Sequence, residues 1–108
     1  MEHLSLVQLR AENKQNIARL KHGMSRNQVL DIMGRKQAST RHDGPVGNPF
    51  RPHPFTGTGG QQYEVLFFYT DRHAKFGKIH DTNCTPVVLR QDRVVAIGHP
   101  AIRKLKGW

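Results

Sequence analysis

Apolar positions in the first quarter of the chain recur at near-helical spacing. Leu6, Leu9, Ile17, Leu20 and Met24 form a stripe, with Glu12, Lys14, Arg19 and Lys21 on the wetter side, which predicts a helix from about Ser5 to His22. Asn13 and Asn16 interrupt that stripe, so its first half reads as the weaker part, and Gly23 fits a left-handed stop. Ser25-Arg26-Asn27-Gln28 is a capping box, in which the serine hydroxyl and the glutamine side chain satisfy each other's backbone N–H groups. Val29, Leu30, Ile32 and Met33 follow before Gly34, giving a second helix too short to persist without packing.

From Arg35 to Gln62 glycine and proline break every periodicity, so this stretch reads as a long loop, with Phe50 and Phe55 as apolar exceptions. Tyr63 to Thr70 is a strand. Tyr63, Val65, Phe67 and Tyr69 line one face and Leu66 and Phe68 the other; a strand apolar on both sides is either central in a covered sheet or half exposed for a partner. Thr85 to Arg90 gives a second strand, Gln91-Asp92-Arg93 a hairpin-length turn, and Val94 to Gly98 a third strand. Ile102 to Trp108 is a basic tail with interleaved apolar groups. The expectation is a single α+β domain over residues 1–108 with its core at about 17–99. Two N-terminal helices would pack on one face of a three-stranded antiparallel sheet. Val65, Phe67, Val87, Leu89 and Ala96 would meet the helices, although a one-residue shift would exchange the faces.

Charge changes the picture more than size does. The chain has 108 residues, 17 Lys and Arg against 8 Asp and Glu, a formal net charge of +9, and seven His. No apolar run is long enough to span a bilayer as a helix. The start lacks the basic and apolar regions of a signal peptide. Cys84 is the only cysteine, which excludes an internal disulfide and a Cys-rich zinc module.

Candidate chemistry is thin. A thiol nucleophile at Cys84 could draw on His80, Asp81 and Lys78, but no oxyanion-binding device accompanies it, and a small buried hydrophobe is the plainer reading. His73, His80, Asp81 and Cys84 lack the paired ligand spacing of a structural zinc site, and His53 and His99 sit beside prolines. No enzyme, metal or cofactor is therefore expected. Nucleic acid is the rival partner: Arg35, Lys36, Arg41 and Arg51 cluster near Phe50 and Phe55, and Arg103, Lys104 and Lys106 near Trp108. No helix-turn-helix, ribonucleoprotein motif or zinc finger supports it, and a solvated basic surface explains the charge equally well. An anionic membrane would use the same cations, with Leu105 and Trp108 at the interface.

Leu20-Lys21-His22-Gly23-Met24-Ser25 followed by Gln28-Val29-Leu30-Asp31-Ile32-Met33-Gly34 resembles the opening of the small protein A/BamE lipoproteins. Tyr63 to Tyr69 and Cys84 to Gly98 are closer still to an uncharacterised bacterial family of unknown function with the same layout. The resemblance implies the BamE and β-lactamase-inhibitor-protein type of fold, with helices on one sheet face and the other free for partners. It further implies a periplasmic, outer-membrane-associated lipoprotein that assists β-barrel assembly and has affinity for anionic lipid. The chain shows no N-terminal lipid-acceptor cysteine, so this location requires an export segment upstream; otherwise the protein is cytoplasmic.

The leading expectation is a non-catalytic binding or scaffold module of the bacterial cell envelope, acting in outer-membrane protein assembly or envelope maintenance with a protein partner. A small cytosolic nucleic-acid-binding module is the alternative. Candidate contact residues are Tyr63, Leu66 and Phe68 on the strand, Phe50 and Phe55 in the loop, and the cations Arg35, Lys36, Arg51, Arg103, Lys104 and Lys106, with Trp108.

Overall fold

The computed structural model describes residues 2–38, 45–72 and 79–106. Among these, three helices and two sheets make a mixed α+β domain, the class expected. In chain order they are β1 (Glu2–Leu4), α1 (Leu6–Ile17), α2 (Arg26–Met33), β2 (Lys36–Ala38), β3 (Val46–Gly47), β4 (Arg51–Thr56), β5 (Gln62–Tyr69), β6 (Cys84–Arg90), β7 (Arg93–Ile97) and α3 (His99–Lys106). The large sheet runs β4-β5-β6-β7 and is antiparallel throughout. In the small sheet β2 pairs with β1 in parallel and with β3 antiparallel.

Both short helices start on capping boxes. Ser5 caps α1 through Gln8, and Ser25 caps α2 through Gln28. α1 is helical from its first turn and stops at Ile17, earlier than the periodicity suggested. Asn13, which looked like a gap in the stripe, is fully buried. Its Nδ2 donates to Tyr69 O and to Asn48 Oδ1, each at 2.9 Å, while Asn48 Nδ2 donates to Met33 O and Gly34 O. This polar tie joins α1, the end of α2, the β3–β4 connection and the end of β5.

The stretch from Arg35 to Gln62 is not one long loop. It contributes β2, β3 and β4, so the main sheet has four strands where three were expected. Prolines hid β4. Pro52 and Pro54 lack N–H groups, which an edge strand tolerates on its unpaired side. Its alternate residues Arg51, His53 and Phe55 turn toward the core. The basic tail likewise forms a helix, α3, whose Ile102 is buried, with Ala101 and Leu105 packed beside it.

Both faces of the large sheet are covered, and this overturns the expected open face. Cross-strand partners share a face, and β5 pairs Val65 with Val88, Leu66 with Val87 and Glu64 with Leu89. Val65, Phe67, Val88 and Ala96 therefore pack under Leu9 of α1 and Ile102 of α3. Leu66, Phe68, Val87, Leu89 and Val94 pack under Val29, Leu30 and Met33 of α2. The two N-terminal helices lie on opposite faces, and Val87 and Leu89 turn away from Val65 and Phe67. A bulge lets β7 serve both layers: Val88 pairs with Ala96 but Leu89 with Val94, leaving Val95 unpaired and exposed.

Candidate functional site

α2 is eight residues long and covers the sheet only in part. On its side of the sheet, Pro52, Pro54 and Thr56 of β4 stay exposed. An open groove of about 440 Å³ runs between the start of α2, the outer face of β4 and the β6–β7 turn. Pro54, Tyr63 and Leu89 give it apolar walls. Arg26 and Glu64 supply a charged floor, with Arg26 Nε 2.8 Å from Glu64 Oε1 and both side chains roughly one-third exposed (36% and 37%). Gln62, Gln91 and Asp92 line the rim.

Local backbone pairing fixes the rim. The segment linking α1 to α2 lies along the outer edge of β7: Gly23 N donates to Val94 O at 2.8 Å, Val94 N to Met24 O at 2.9 Å, and Arg26 N to Asp92 O at 3.0 Å. This closes one end of an edge that would otherwise invite strand pairing. The turn is unusual in that Gln91 and Asp92 both have positive φ, at 51° and 61°. Asn-Gly or Asp-Gly is the ordinary choice there, because side chains resist the left-handed region.

The expected contact residues are not gathered at one place. Leu66 and Phe68 are fully buried beneath α2 and face no solvent. Phe50 and Phe55 are core-packed, and Phe55 stacks on Tyr63 with ring centroids 5.0 Å apart. Lys36 is ion-paired with Glu12. Arg51 donates from Nε and Nη2 to the two carboxylate oxygens of Asp81 and lies 5.2 Å over the Phe67 ring. Arg35, Arg103 and Lys104 are exposed, Lys106 closes α3, and Trp108 lies outside the described residues, as do Arg41, His73 and Lys78. Of the expected set, only Tyr63 lines the groove. Arg26, Gln62, Gln91 and Asp92 were missed because nothing in a linear reading brings the start of one helix to a distant turn. The one available sign was an Arg-Gln-Asp-Arg turn without glycine.

Cys84 is buried in the core. Burial pushes its thiol up to about 12, the Asp81 and Asp71 carboxylates push the same way, and Arg51 opposes them. At neutral pH it is a protonated thiol, the opposite of an activated nucleophile. Among the described residues no group of three His, Cys, Asp or Glu side chains is arranged to hold a metal ion.

A family model described as protein of unknown function DUF3192 matches residues 3–104, nearly the whole chain. The chain belongs to the DUF3192 family. No curated protein and no solved structure matches it. Both the two-helix opening and the β5–β7 sheet of this DUF3192 chain fall within the matched span, as do the groove residues.

Proposed function

We propose that this DUF3192 protein is a non-catalytic binding module of the bacterial cell envelope, an accessory in outer-membrane protein assembly or envelope maintenance that seats a partner protein in the groove beside Arg26. The groove carries the reading. With both sheet faces covered by helices, it is where the α2 layer leaves the sheet unfinished, and it combines apolar walls with a polar rim and an arginine, the composition of a protein contact centre. The likeness of Leu20–Gly34 to the small protein A/BamE opening supports the envelope setting. The protonated, buried state of Cys84 supports a role without covalent chemistry.

The test places a photo-crosslinking amino acid at Gln62 of the full-length gene product in living cells, with Asp31, exposed on α2, as the comparison position. The expected result is a discrete protein adduct from position 62 alone, recovered with periplasm or membranes. Cytosolic recovery, or the absence of a discrete adduct, overturns the proposal. The net charge of +9 favours nucleic acid as a second reading. Duplex DNA binding that weakens steeply with added salt would establish it.

A further inference from the structure

The large sheet has two edges, β4 and β7. The chain itself occupies much of the β7 edge: Gly23, Met24 and Arg26 bond along it from Asp92 to Val94, and Arg93 Nη1 donates to Gly23 O at 3.3 Å. Among the described residues no strand lies beyond β4, and the groove opens on its α2 side. The natural seat for an extended segment entering that groove is alongside β4, paired as a fifth strand. The register of β4 decides whether such pairing can occur.

In an antiparallel pair, alternate residues direct both backbone groups at the neighbouring strand, and the residues between them direct theirs away. β4 pairs with β5 without a break, from Arg51 opposite Phe67 to Thr56 opposite Gln62. Pro52 and Pro54 have no N–H to give, so the residues bonded to β5 are Arg51, His53 and Phe55. The outward positions are therefore Pro52, Pro54 and Thr56, and all of them are exposed. Of the donors that a fifth strand would call on there, only Thr56 keeps its own. Each proline would instead set its ring against a partner carbonyl and leave that carbonyl without a bond. Moving either proline by one residue would break the ladder to β5. Their placement keeps the native ladder whole and closes its outer side.

We propose that Pro52 and Pro54 set the specificity of the groove: they shut it to extended strands, of another protein or of a second copy, and leave it to side chains carried on a folded surface. The inference rests on the groove reading and narrows it to a partner already folded where it docks. The rim is suited to such a partner. Arg26 bonds Glu64 through Nε alone, and among the described residues the side chains of Gln91 and Asp92 have no hydrogen-bond partner. The groove thus offers side-chain donors and acceptors where the β4 edge withholds backbone ones.

The experiment is sedimentation of the full chain over a range of concentrations, for the parent, Pro52→Thr, Pro54→Thr and the double variant. Threonine restores each N–H and suits a strand. In about 1 M NaCl the Debye length is about 3 Å, which screens the repulsion between basic copies. The expected result is a monomeric parent, a self-associating double variant, and single variants that associate about tenfold more weakly than the double. Hydrogen exchange at positions 52 and 54 should slow on association, which separates edge pairing from other contacts and from misfolding. Should the double variant fail to fold, either single variant decides by the same two readouts. A double variant that stays monomeric, association without slowed exchange at the restored amides, or a parent that already pairs through β4 with slowed exchange at Thr56 each overturns the inference. A monomeric double variant that keeps the Gln62 adduct would defeat the inference and leave the groove standing. Absence of the adduct from a parent that passes the sedimentation test would defeat the groove reading alone.

Discussion

Asn13 shows how much one polar side chain can carry inside a small core. Its amide nitrogen serves two acceptors on two other parts of the chain, Tyr69 O and Asn48 Oδ1. Truncation would strand Tyr69 O in the core and release Asn48 Oδ1 in a half-buried site. Asn13→Ala should therefore lower stability by about 2–3 kcal/mol, more than the loss of a single exposed hydrogen bond, as read from the urea midpoint at unchanged slope. A loss under about half of that would mean that water replaces the amide. The sequence shows this asparagine only as a gap in an apolar stripe, because periodicity registers hydrophobicity and not hydrogen bonding. Cys84 behaves differently. Its nature as a small core residue was legible from its place at the head of a strand, and burial then raises its thiol from 9.0 to about 12. The unfolded chain releases that proton first as pH rises. The stability linked to the thiol is therefore present in full below about pH 9 and lost progressively toward pH 12. Unfolding titrations at pH 7, 9 and 10.5 (all on the order of the range set by that shift) should show a steeper alkaline loss for the parent than for Cys84→Ala. Parallel curves would remove the thiol from the account.

Legibility at the scale of elements followed local chemistry. The α2 capping box, the strand from Tyr63 and the β6–β7 hairpin could be read because each announces itself within a few residues. β4 and α3 could not. Pro52 and Pro54 look like breakers until the strand is known to be an edge, and α3 looks like a charged tail until Ile102 is known to have a seat. The turn at Gln91-Asp92 offers the sharpest test at this scale. Both residues occupy the left-handed region, which Asn-Gly occupies at little cost. Gln91→Asn/Asp92→Gly should raise stability by roughly 1–2 kcal/mol while preserving the Arg26 N–H bond to the backbone of position 92. A destabilised double variant would show that the two side chains hold the turn themselves.

At the scale of the whole molecule, the apolar pattern on both sides of β5 admitted two outcomes, a covered central strand or a face left open for a partner. The structure takes the first, because α1 and α2 lie on opposite faces and α3 completes the α1 layer. No local signal decides that choice; it depends on where the chain leads after Gly23, along the outer edge of β7. Charge completes the argument. Among the described residues, ion pairs engage four carboxylates and four cations, while the whole chain carries eight acidic and seventeen basic residues. Exposed pairs contribute about 1 kcal/mol or less each, so screening them costs little, whereas screening the excess cations relieves repulsion that opposes the folded state. Added NaCl should therefore raise the melting temperature, with most of the change complete once the Debye length falls to about 8 Å. A falling melting temperature would mean that the ion pairs outweigh the repulsion. The two hairpin variants should then separate by mechanism. Arg90→Gln, which removes one of the two arginines paired directly across the β6–β7 hairpin, gains electrostatically and that gain should shrink as salt rises, while the gain from Asn-Gly is conformational and should persist unchanged.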